Sequence, residues 1–252
     1  MTTFMTYSES PTPLASSSVT SSGQVYSSQN DGVTRLLDHV ATLPAIAVAV
    51  AHPCDETSLA SALDAHQRGL IEPILIAPRS KLQAVADEYG LDISNIRIED
   101  VPHSHAAAVR AVELAAAGKV EALMKGSLHT DELMGEVVSS RSGLRTKNRV
   151  SHCFILQTRH YPRPFIVTDA AINLAPNLLQ KADIVRNAIA LAHTIDVPEP
   201  KVAILAAVET VSPTMPATLD AAALCKMADR GQITGALLDG PLAFDIFWSF
   251  PI

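Results

Sequence analysis

The sequence predicts an α/β fold built on mainly parallel sheets. Two observations carry this. Short, continuous apolar runs alternate with helix-length segments, the arrangement of parallel β-α-β units whose strands are buried on both faces. Composition points the same way: of 252 residues, 48% are apolar but only 4% aromatic, and alanine supplies much of the apolar fraction. An all-β sandwich would be richer in β-branched and aromatic residues.

Residues 1–31 are dominated by Ser, Thr, Gln and small residues without helical or strand period, and read as a disordered tail. From residue 32 the pattern is regular. Leu36, Leu37, Val40 and Leu43 suit one helix face. Residues 45–51 form a buried strand. Asp55 caps a helix carrying Leu59, Ala62, Leu63 and His66, and Gly69 stops it. Residues 71–77 are the next strand. Ser80 is the expected cap of a helix with Leu82, Val85, Ala86 and Tyr89, which Gly90 ends. Residues 95–101 are strand-like, Ser104 opens a helix to Gly118, and residues 122–125 are again a strand. Together residues 32–149 make a first α/β domain.

A second α/β domain spans residues 150–252. Residues 150–157 and 164–168 are strands joined by a turn around Tyr161-Pro162-Arg163-Pro164. The helix that follows, residues 177–196, buries Leu178, Ala182, Val185, Ile189 and Ala192, which step by four and three. Residues 201–208 are a strand, Thr218 is the expected cap of the next helix, Gly231 closes it, and residues 235–238 are the last strand. The pattern then breaks. Phe247, Trp248 and Phe250 crowd aromatic residues into the final seven, and the composition of residues 246–252 matches nothing upstream. A frameshifted or truncated end accounts for that, as would a hydrophobic terminal strand.

Bulk properties exclude several classes. A formal net charge of −7 disfavours non-specific nucleic-acid binding. The cysteines, Cys54, Cys153 and Cys225, are odd in number and far apart, which fits neither a disulfide framework nor a zinc knuckle and suits a reducing cytoplasm. No apolar run approaches the roughly 18–20 residues needed to cross a bilayer, and the N-terminus lacks the basic and apolar regions of a secretory signal. Neither membrane nor nucleic acid is an expected partner.

Candidate chemistry gathers at strand ends. Lys125-Gly126-Ser127-Leu128-His129-Thr130 joins a strand to a helix, where unpaired N–H groups and a lysine suit an anion. A turn residue and a solvated lysine remain the alternative. The glycines match neither the Walker A loop nor the dinucleotide fingerprint. Thr130 is the expected cap of the helix, with Asp131 and Glu132 in its first turn. Arg141, Arg145, Lys147 and Arg149 concentrate positive charge ahead of Ser151 and His152, either as a solvated face or as a phosphate site. Asp169 and Asn173, Glu209, and Asp239 with Gly240 lie after or at the ends of further strands, where polar residues face a ligand crevice or simply close turns. His103 and His105 have no carboxylate or cysteine at ligand spacing, so no metal site is expected.

The segments Lys125–Glu132, Thr168–Asn173, Lys201–Pro213 and Thr218–Asp245 resemble, in order, those of the phosphate acetyl/butyryltransferases, most closely the butyryltransferase-like branch. The resemblance runs from about residue 45 to residue 245. It implies two α/β/α domains of the isocitrate/isopropylmalate dehydrogenase-like class, a homodimer, and reversible acyl transfer between coenzyme A and phosphate. Coenzyme A is then a substrate, and no cofactor or metal is bound. It further implies that Asp169, Asn173 and Glu209 serve catalysis. Lys125, Gly126, Ser127, His129, Thr130, Arg145, Ser151, Asp239 and Gly240 would contact phosphate or coenzyme A. Family members continue past the position of Asp245 with a Ser-Arg pair and an Asp tied to oxyanion stabilisation and thiol deprotonation. The C-terminal part is therefore expected to be missing here, and activity to be impaired. The alternatives are a non-catalytic protein that binds coenzyme A or acyl phosphate, and a dehydrogenase of related fold.

Overall fold

The computed structural model describes residues 3–6, 32–158 and 161–244. In chain order its elements are β1 (Thr3–Thr6), α1 (Gly32–Val40), β2 (Ile46–Ala51), α2 (Glu56–Gln67), β3 (Ile71–Ala77), α3 (Arg79–Tyr89), β4 (Arg97–Asp100), α4 (Ser104–Ala116), β5 (Ala122–Lys125), α5 (Thr130–Val137), β6 (Cys153–Thr158), β7 (Tyr161–Thr168), α6 (Leu178–Thr194), β8 (Lys201–Leu205), α7 (Pro216–Asp229) and β9 (Leu237–Leu242). They form two units. One is contiguous, residues 38–147; the other is discontinuous, the residues up to 37 together with those from 148 onward.

The contiguous unit holds an all-parallel sheet in the order β4-β3-β2-β5. Its central strands are buried without a break over Val48–Ala51 and Ile74–Ala77, because both faces of the sheet are covered. Successive side chains point to opposite faces. Ala49, Ala51, Ile74 and Ile76 meet Ala107, Ala108, Ala111 and Leu114 of α4. Val48, Val50 and Leu75 meet Leu59, Ala62, Leu82 and Ala86 of α2 and α3. The alanines of α4 let its backbone approach the strands closely. Burying each larger side chain stabilises the unit by about 1.5–3 kcal/mol.

Local chemistry sets the helix ends. Asp55 accepts from the Ser58 N–H at 2.8 Å and caps α2, and Gly90 stops α3 in the left-handed region at φ 64°. Ser80 is not a cap. The α3 helix already begins at Arg79, whose N–H is taken at 2.8 Å by Asp100 from the end of β4. Thr130 is likewise the first residue of α5 and not its cap; His129 holds that position without a side-chain bond.

The discontinuous unit carries a mixed sheet, β6-β7-β1-β8-β9. Only β8 and β9 pair in parallel; the other neighbours are antiparallel. The fold is thus mixed α/β, all-parallel in the contiguous unit and mainly antiparallel in the discontinuous one. The β6–β7 hairpin has too short a connection for a parallel pair, and Tyr161–Arg163 belong to β7 instead of the expected turn. Thr3–Thr6 form β1 within the stretch read from sequence as an irregular tail, with Thr3 opposite both Thr168 and Ile204. The remainder of that stretch and the anomalous residues 246–252 lie outside the described residues. Because β1 opposes both neighbours, β7, β8 and β9 run the same way and end on one edge.

Helices α6 and α7 cover one face of this sheet, burying Ala182, Val185, Ala188, Ile189, Ala221 and Leu224 against Ile166, Val202 and Ile204. Asn177 and Gln180 form a reciprocal capping box at the start of α6. Thr218 is not the cap of α7, which starts two residues earlier at Pro216. Its buried hydroxyl instead accepts from the Ser212 N–H at 2.9 Å and faces the Met215 and Ser212 carbonyls at 2.8 and 3.1 Å.

Candidate functional site

In the contiguous unit, β2, β3 and β4 add outward in one direction, whereas β5 returns to the other side of β2. The sheet order therefore reverses between β2 and β5, and ligands of open α/β sheets favour the carboxyl ends of strands at such a point. The loops found there are residues 52–55 and 125–130, so the lysine-bearing loop marked by sequence sits at the switch point.

These two loops are stapled together. Ser127 Oγ donates to the His52 carbonyl at 3.0 Å, accepts from the Cys54 N–H at 3.1 Å and lies 3.3 Å from His52 Nδ1. His52 Nδ1 also lies 3.1 Å from the Ser127 carbonyl oxygen. His52 is buried and sits in the left-handed region at φ 54°, a conformation that tertiary contacts must hold in place. Gly126 is pressed between them: a Cβ there would lie 2.5 Å from the His52 carbonyl oxygen and 2.7 Å from that of Ala51. Its smallness thus admits the neighbouring strand end. Lys125 Nζ donates to the Gly126 and Leu128 carbonyls at 3.1 and 2.9 Å, leaving one of its three N–H groups for a ligand. His129 and Thr130 are exposed at the start of α5. Sequence reasoning missed His52, since nothing local distinguishes a histidine after β2 from any loop histidine.

The discontinuous unit gathers a second constellation on its own strand-end edge. Cys153, the first residue of β6, pairs with Thr168, the last of β7, so the segment before β6 arrives beside the loop after β7. Asp169 Oδ1 accepts from the His152 N–H at 2.8 Å and the Ile172 N–H at 3.4 Å. Its Oδ2 accepts from the Asn173 N–H at 2.7 Å and from Asn173 Nδ2. Burial pushes the Asp169 carboxyl up, but the Asn173 amide and the backbone donors of His152, Asn173 and Ile172 outweigh it and hold the group below the usual carboxylate range. Asn173 also donates to the Val150 carbonyl at 3.0 Å and accepts from Arg149 Nε. Ser151 Oγ accepts from Asn187 Nδ2 at 2.9 Å. Of the basic cluster, Arg149 joins this network. Arg145 is exposed and makes no side-chain bond among the described residues.

Glu209 is exposed in the bend after β8, also without a partner among the described residues. Asp239 and Gly240 lie within β9, which runs on to Leu242, and not beyond a strand end. Asp239 Oδ1 accepts from the Gly240 N–H at 2.8 Å. Gly240 is wedged against Ile204, where a Cβ would meet the carbonyl oxygen at 2.7 Å, at the register shift between β8 and β9. Burial raises all three cysteine thiols. Cys225, with Asp239 and Asp229 adding to the effect, is pushed up to about 11. These are protonated side chains at neutral pH and poor nucleophiles. No group of metal-ligating side chains, and no helix long and apolar enough to cross a membrane, occurs among the described residues.

Residues 102–248 match a family model described as phosphate acetyl/butaryl transferase. The chain belongs to that family. A phosphate acetyltransferase from Rhizobium meliloti is 58% identical over 205 residues, 81% of this chain and 65% of the relative. A phosphate butyryltransferase from Clostridium acetobutylicum is 42% identical over 201 residues, 80% of this chain and 66% of the relative. The chain thus spans less than two thirds of the length of either. Among solved structures, a branched-chain phosphotransacylase from Enterococcus faecalis V583 superposes with a TM-score of 0.63 at 26% identity, over 80% of this chain and 70% of that one. The stretch matched to phosphate acetyl/butaryl transferase takes in both constellations except for the end of β2 and the loop after it.

Proposed function

We propose that the protein transfers an acyl group reversibly between coenzyme A and phosphate. The 58% identity over 205 residues to a phosphate acetyltransferase carries this reading. With acyl phosphate as the acyl donor, a general base takes the coenzyme A thiol proton and the sulfur attacks the acyl carbonyl carbon. A C–S bond forms, the C–O bond to phosphate breaks, and phosphate leaves. Both substrates are polyanions, so alignment and charge stabilisation dominate the chemistry.

The residue roles follow from availability. Lys125, Gly126, Ser127, His129 and Thr130 form an anion-holding loop, with Ser127 fixing its shape through His52. Asp169 and Asn173 serve by positioning, because the Asp169 lone pairs already accept four N–H groups. Glu209 is the carboxylate of the site loops still open to a ligand or a proton. Arg145, Ser151, Asp239 and Gly240 complete the proposed contacts. The reading extends to an isocitrate/isopropylmalate dehydrogenase-like fold, a homodimer without a bound cofactor, and action in the cytoplasm, the last supported by the free cysteines.

The test is thioester formation from coenzyme A with acetyl, propionyl and butyryl phosphate in turn. The expected outcome is phosphate-dependent, reversible turnover with at least one of them. Absence of both thioester and saturable coenzyme A binding would reject the assignment.

A further inference from the structure

Arg149 is held more elaborately than a solvated surface arginine needs. Its backbone N–H donates to Asp183 Oδ2 at 3.3 Å and its carbonyl accepts from Asn187 Nδ2 at 2.7 Å. Its Nε donates to Asn173 Oδ1. That amide cannot turn over without loss: Asn173 Nδ2 serves two acceptors, Asp169 Oδ2 and the Val150 carbonyl, and a reversed amide would set its oxygen against both. Asp169 is fixed in turn by three backbone N–H groups. The nearby carboxylates have other partners, Asp183 pairing with Arg186 at 2.9 Å. What remains is the outer edge of the Arg149 guanidinium. Its two terminal nitrogens are without a partner among the described residues, on an exposed side chain.

We propose that Arg149, aimed by Asp169 through Asn173, grips a phosphoryl group with its two terminal nitrogens. The inference rests on the acyl-transfer reading and deepens it by naming the arginine of the discontinuous unit that takes the anion. Nε-anchored guanidinium leaves the geometry that binds two phosphate oxygens side by side, which a lysine cannot reproduce. Arg149 is the binding residue; Asn173 and Asp169 are positioning residues. The phosphoryl group belongs either to the acyl phosphate or to the diphosphate of coenzyme A.

Calorimetric titration with inorganic phosphate and with ADP separates these sources, alongside steady-state kinetics. Arg149→Gln should weaken one of the two probes roughly 10- to 100-fold and raise the corresponding KM more than it lowers kcat. Arg149→Lys should fall between Gln and wild type. Asn173→Ala should weaken the same probe by a smaller factor, and Arg35→Gln, which removes an exposed charge elsewhere on this unit, should change neither. Equal binding of both probes by wild type and a folded Arg149→Gln, with turnover intact, would overturn this inference and leave the acyl-transfer reading standing. A lower Tm in Asn173→Ala with both affinities unchanged would overturn the positioning roles. A wild type that binds neither probe and turns over no acyl phosphate would remove both proposals.

Discussion

Gly126 and Gly135 are nine residues apart and obey opposite rules. A methyl group on Gly126 would enter the space of the His52 and Ala51 carbonyls, whereas one on Gly135, inside α5, meets nothing within 4 Å. Gly126→Ala should therefore destabilise the protein by about 1–3 kcal/mol through overpacking of backbone that cannot retreat. Gly135→Ala should stabilise it by about 0.5–1 kcal/mol through helix propensity. Urea-denaturation midpoints decide it, and a shift of the same sign for both would refute the assignment. At this scale the sequence marked the residues, and the structure supplied their hydrogen-bond partners. The His52 and Ala51 carbonyls occupy the space that a side chain on Gly126 would need. Asp169 accepts four N–H groups, and Asn173 turns its amide oxygen to Arg149. Three of the four donors to Asp169 come from Ile172 and Asn173, the turn-closing alternative read from the sequence, whereas the partners of Gly126 and of the Asn173 oxygen lie far along the chain, where no local pattern encodes them.

Among the elements, α6 and α7 are joined by a feature no periodicity reveals. Lys181 is buried on α6 and its ammonium pairs with Asp220 in the second turn of α7. Asp220→Ala should cost about 3 kcal/mol, because it leaves a desolvated ammonium without a counter-charge. The double variant Lys181→Met/Asp220→Leu should recover most of that loss, since it removes both charges and keeps the volume. A double-mutant cycle in thermal unfolding measures this; a single variant as stable as wild type would rule out a buried pair. Helix caps show where element-level reading holds. Asp55 and Gly90 act as read, because side-chain type and local φ suffice. Ser80, Thr130 and Thr218 do not. A polar residue near a helix start is a cap only where the chain turns, and for α3 that point is set by Asp100, distant in sequence.

Over the whole molecule, each unit has its own core, and the contiguous one covers its sheet faces with α2, α3, α4 and α5. A fragment of residues 38–147 should therefore fold cooperatively, with dispersed amide resonances and a single urea transition. A spectrum of a disordered chain would show that this core is insufficient. The sequence by itself determined the α/β class, the alternation of strands and helices, most helix stops and the family, because hydrophobic period, turn chemistry and residue order are properties of short or collinear stretches. Tertiary structure decided the strand order, the insertion of Thr3–Thr6 between β7 and β8, and which arginine Asn173 holds. Those depend on pairing between distant segments, where the free energy comes from contacts that no single segment contains.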